Sequence, residues 1–240
     1  MSGGPGRIYF PGNPWPEGHA IKSLSWGAAI HPEKGLLLQF QLKSADYYAA
    51  DGDHVVKDEE LDGKTDWECK TAWNNYHACH IQESHNLGGF LVSDGQTPFV
   101  FGAEQYTLQA DPLPVDWENF YQTNAFSIYL LGHDAVANHQ IDLRRTPAEG
   151  EVYSLDWSGR IALAYVGETD FRYAFQAYQP EVRFDAICLW YFDPVIAKEQ
   201  LGLEIDPALT PRDYIRPYVS DPDNFRFEQR NGILYAMRAL

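Results

Sequence analysis

Residues 158–190 read SGRIALAYVGETDFRYAFQAYQPEVRFDAICLW, and this stretch carries the plainest periodicity in the chain. Ser158-Gly159 precedes a strand predicted over Arg160–Tyr165, and Gly167-Glu168-Thr169-Asp170 supplies turn residues. Phe171, Tyr173, Phe175 and Ala177 then alternate with Arg172, Ala174, Gln176 and Tyr178, the period-two pattern of a strand with one buried face. Gln179-Pro180-Glu181 is expected to turn the chain again, after which Val182, Phe184, Ala186, Cys188 and Trp190 fall on one side. Three strands joined by short turns predict an antiparallel meander.

Working outward, Leu36, Leu38, Phe40 and Leu42 alternate with Gln39, Gln41 and Lys43 after Gly35, which predicts another half-buried strand. Phe90–Val92, Phe99–Phe101, Tyr106–Gln109, Phe126–Leu131 and His139–Arg144 are further strand candidates. Towards the C-terminus, residues 194–203 suit a short helix. Thr210 is placed to cap a second one that begins at Pro211. Phe225, Phe227 and Ile233–Met237 suggest a last pair of strands. The expectation is an all-β chain: one antiparallel β-sandwich of jelly-roll-like type over 1–240, with a helical and irregular tail (194–240) on the same core. A closed, lipocalin-like barrel is the alternative, since its strands would alternate too.

The chain of 240 residues has 34 acidic and 18 basic side chains, a formal charge of −16, and 15% aromatic residues. Such a balance argues against general nucleic-acid binding. No run of apolar residues is long enough for a membrane-spanning helix. The start of the chain lacks a cationic segment followed by an apolar one, and three cysteines (Cys69, Cys79 and Cys188) fit reduced thiols, so a cytoplasmic protein is expected. Eight acids and two lysines crowd the segment from Asp51 to Glu68, a solvated loop or a landing surface for a basic protein partner.

Within that segment, residues 58–66 approach an EF-hand loop, with the glycine in place but Cys69 where the bidentate glutamate belongs. Asp58, Glu60 and Asp62 are therefore candidate calcium ligands only in a loop of another type. Cys69, His77, Cys79, His80 and His85 group zinc-type donors, yet no C-x-x-C pair is present. On a strand His77 and His80 would also face opposite sides. No nucleophile elbow, P-loop, dinucleotide fingerprint or H-E-x-x-H is present. His133 and Asp134, with His139 nearby, are the candidates for a general base and its orienting carboxylate.

Aromatic residues among polar neighbours give the leading functional expectation. Trp67, Trp73, Tyr76 and Trp117 are flanked by Asn, Asp, His and Glu. Rings that stack on C–H faces beside groups that bond hydroxyls suit a sugar. Recognition of a small polar, carbohydrate-like ligand is thus expected on a concave sheet face carrying Trp73, Tyr76, His77 and His80. The other expectation, from a different class, is an acidic module that binds a basic protein.

Overall fold

The computed structural model describes residues 6–50, 64–85 and 88–239. Among them twelve strands join in one large sheet. They are β1 (Arg7–Tyr9), β2 (His19–His31), β3 (Gly35–Ser44), β4 (His80–Glu83), β5 (Phe90–Ser93), β6 (Gln105–Ala110), β7 (Phe126–Tyr129), β8 (His133–Arg145), β9 (Val152–Ala162), β10 (Tyr173–Cys188), β11 (Phe225–Arg230) and β12 (Ile233–Arg238). The helices are short: α1 (Lys70–Asn74), α2 (Phe120–Thr123), α3 (Pro194–Leu201) and α4 (Pro211–Ile215). None among the described residues is long and apolar enough to cross a membrane.

The pairings are antiparallel except between β10 and β2, which run parallel. They lead from β2 through β3, β4, β7, β8, β9 and β10 back to β2. Three-residue β1 wedges between the first halves of β2 and β10, pairing Ile8 with His19 on one side and Ala177 on the other. Beyond it β2 and β10 meet directly, with Trp26 beside Phe184 and Ala29 beside Cys188.

The inward side is filled by rings. Trp26 stacks on Phe40 at 5.9 Å, Phe40 meets Phe90 and Trp157, and Trp157 meets Phe126 and Phe175 at 5.2 and 5.7 Å. Leu36, Leu38, Phe40 and Leu42 are all buried, as the alternation of β3 requires. Ile215, Val219, Phe225 and Ala236 of the C-terminal part belong to the same buried cluster. The two helix starts follow local chemistry. Asp193 accepts from the backbone N–H groups of Val195 and Ile196, Thr210 accepts from that of Asp213, and a proline follows each cap.

The meander differs from expectation: Ser158-Gly159 lies inside β9, which ends at Ala162 before a short 3-10 turn at Ala164–Val166, and the two later strands are one. Gln179-Pro180-Glu181 does not turn the chain: β10 runs on through it, and its register on β9 slips by one residue between Gln179 and Val182. A bulge absorbs the proline, which needs no ladder donor there. Phe99–Phe101 likewise forms only a single bridge, Phe99 to Val219.

A second slip, in β8 between Ala137 and Gln140, moves the inward set from Val136 to His139, Ile141 and Leu143. Asn138 occupies the bulge at φ 51°, a left-handed conformation that asparagine adopts far more readily than β-branched residues. Asn138→Gly should leave stability nearly unchanged, whereas Asn138→Val should lose about 1–2 kcal/mol. The urea midpoints of the two variants provide the check, and equal midpoints would contradict the bulge.

Candidate functional site

A wide hollow lies on the outward side of β2, and the register explains it. Ser23, Ser25 and Gly27 of β2 stand directly opposite Lys43, Gln41 and Gln39 of β3. Each small residue therefore has a long polar neighbour on the same face. On the other flank, Ala29 is level with Cys188 of β10, and Cys188 is level with Tyr235 of β12. A floor of small side chains thus runs between a wall of amides and a wall of rings. The result is a groove of about 470 Å³ lined also by Glu83, His85, Asp185, Trp190, Tyr191 and Gln200. A second compartment of about 230 Å³ continues past Ser25 and Gln41 towards Lys43, His80 and Gln82.

Several of these groups are held in place. Gln41 donates its amide N–H to Glu83 Oε1 at 2.8 Å, and the Trp190 indole donates to Gln200 Oε1 at 3.3 Å. Arg230 pairs with Asp185 at 3.6 Å and lies over the Tyr235 ring at 5.5 Å. Burial raises the pKa of Cys188 and of Tyr235, and lowers that of His80 with help from Lys43. All three are therefore neutral near pH 7. The lining offers amides, hydroxyls, carboxylates and ring faces, a set that can bond and stack on a polyhydroxylated molecule.

The residues singled out from the sequence have separate fates. Trp73 lies on α1, wholly enclosed by Phe10, Tyr47 and Trp67 at 5.0–5.1 Å, and its indole donates to the Trp67 carbonyl. It is core, not the lining of a concave face. Trp67 is also buried and stacks on Tyr173 at 4.1 Å, while Trp117 packs on Phe171 at 5.3 Å. His77 is exposed at a left-handed turn (φ 65°), with its ring 5.9 Å from that of Tyr48. His80 lines the second compartment.

One grouping does occur. Cross-strand pairs set Lys43, His80, Tyr129 and His133 in a row across β3, β4, β7 and β8. Tyr76 joins it 6.0 Å from Tyr129, and His133 lies 5.4 Å from the same ring. Tyr76, His80 and His133 thus gather around Tyr129, which the sequence did not single out.

His133 and Asp134, being consecutive on β8, point to opposite sides of the sheet. His133 is exposed, and Asp134 is buried with its Oδ2 accepting from the Leu131 N–H at 3.0 Å. They do not form an acid–base pair. Burial raises the pKa of Asp134, against backbone hydrogen bonds that lower it. The proposed calcium ligands Asp58, Glu60 and Asp62, and most of the acidic segment, lie outside the described residues. Among the described residues no three His, Cys, Asp or Glu side chains gather as a metal site.

Comparison with known proteins gives no guide: no protein-family model, curated protein or solved structure matches the chain.

His139 belongs to the core rather than to a site. Its Nδ1 accepts from the Trp157 indole at 3.2 Å, which leaves the proton on Nε2, 3.9 Å from Asp111 Oδ2. Burial pushes the His139 pKa down to about 3 and that of Asp111 up to about 6. A histidine with a depressed pKa stabilises the fold fully above its ordinary 6.5, and this contribution is lost as pH falls from there. Asp111 works the other way, favouring the fold as pH drops through 6. Replacing His139 by Phe should remove the first effect and leave the second. Between pH 7 and pH 5 the unfolding free energy of His139→Phe should therefore rise relative to the wild type by on the order of 1–2 kcal/mol. A difference independent of pH, measured by urea titration, would show that His139 is not held neutral.

Proposed function

We propose that the protein recognises a small polar, carbohydrate-like ligand in the groove along β2 and β3. What carries this reading is the row of small residues, Ser23, Ser25, Gly27 and Ala29, between the amides of Gln39 and Gln41 and the rings of Trp190 and Tyr235. Sugars need this combination, because their hydroxyls demand paired donors and acceptors while their C–H faces favour an aromatic surface. The groove is of the size that encloses small ligands, and it is open along its length. His80 remains a ligand-binding candidate at the far compartment. In this reading the sheet is a two-layered, sandwich-like arrangement whose layers share β2, β8 and β10, and the groove lies on the outside of one layer.

Ser25 is exposed at the middle of the floor, so a larger side chain there would fill the groove and leave the core untouched. A glycan array should return positives with the wild-type protein. Calorimetry on the best of them should show at least a tenfold weaker Kd for Ser25→Trp, with an unchanged melting temperature. An array without positives, or a Ser25→Trp protein that binds as tightly as the wild type, would overturn the proposal.

A further inference from the structure

We infer that the ligand of this groove is amphiphilic, a sugar headgroup carrying an aliphatic chain. The inference rests on the sugar-recognition reading above and adds a second, chemically different compartment to it. A hollow of about 270 Å³ adjoins the groove at Trp190, a residue that lines both. Its walls are mainly Leu189, Phe192, Pro194, Ile196, Ile233 and Leu234, with Asp193 and Gln229 as the polar members. The groove across the indole presents Gln39, Gln41, Glu83 and Asp185 instead.

Three observations join the compartments into one site. The Trp190 indole is fixed by its hydrogen bond to Gln200 of α3, so the partition between them has a set position. α3 also supplies Ile196 to the apolar side, and β12 supplies Tyr235 to the polar side but Ile233 and Leu234 to the apolar one. Finally Val195, the residue between Pro194 and Ile196 in α3, is 60% exposed, so the chain segment that walls the hollow also presents an apolar side chain to solvent. A mainly apolar hollow that adjoins a polar groove at Trp190 suits a molecule with both characters. A free sugar would leave the apolar walls wet, and a fatty chain alone would cover the polar groups of the groove without bonding their remaining donors and acceptors.

The test compares methyl β-glucoside with hexyl β-glucoside below its micellar concentration, both by calorimetry. Each buried methylene contributes up to about fourfold in affinity, so the hexyl compound should bind at least tenfold more tightly. In Ile196→Asn this advantage should fall below threefold while the affinity for methyl β-glucoside stays unchanged. NMR on the unmodified protein should show contacts from the terminal methyl of the chain to the methyls of Ile196 and Ile233, a readout that does not depend on the variant folding. Equal affinities for the two glucosides would overturn the amphiphilic ligand and leave the groove reading standing. Binding of neither would overturn both. An advantage that survives in Ile196→Asn, or a chain methyl without contacts to Ile196 and Ile233, would mark the hexyl effect as unspecific and also overturn the inference.

Discussion

The architecture depends on β10 exchanging both of its neighbours along its length. Its first half lies between β9 and β1; its last residues lie between β12 and β2. A strand can do this only where its register slips, and β10 slips between Gln179 and Val182 and again between Phe184 and Ile187. The exchange brings β10 beside β2 in parallel, which returns the pairing circuit to its start. It also places Cys188 and Tyr235 on the flank of the small residues of β2. Core closure and groove share one cause.

The groove and the core are opposite uses of side-chain size. Inward from β2, Trp26 has rings on all sides, among them Phe40, Tyr153 and Phe184 at 5.4–5.9 Å. Outward from the same strand, a serine, a glycine and an alanine leave space that no neighbour fills. A Cβ at Gly27 would lie in ordinary van der Waals contact with the Ala186 carbonyl oxygen, 3.4 Å away, so the floor rests against β10. At the other end of β2, His19 sits among Phe10, Trp15, Tyr47 and Trp73 with ring separations of 5.0–6.5 Å. This aromatic cluster encloses Trp73.

Much of the strand content could be read from alternation, because inward and outward residues contrast sharply in β3 and β10, whereas β9 is expected only from Arg160 onward. The capped starts at Asp193-Pro194 and Thr210-Pro211 were equally visible, since cap and proline act within one turn. What alternation could not show is which strands become neighbours. Pro180 signals a break in pairing, but a turn and a bulge use the same residue, and only the tertiary partner distinguishes them. β2 escaped notice because Ser23, Ser25, Gly27 and Ala29 are too small to mark a face strongly. The groove is hidden in the sequence for the same reason, since its floor is made by residues that carry almost no side chain rather than by Trp, Tyr or His. Trp73 shows the converse: its polar sequence neighbours, half-buried Asn74 and exposed Asn75, say nothing of where the indole points.

The most direct test is to map the binding surface by amide chemical shifts during titration with a carbohydrate. The account predicts that the perturbed amides cluster on Ser23–Ala29 of β2, Gln39–Lys43 of β3 and the residues around Cys188 and Trp190. Perturbations confined to the row around Tyr129, or scattered without a focus, would contradict it.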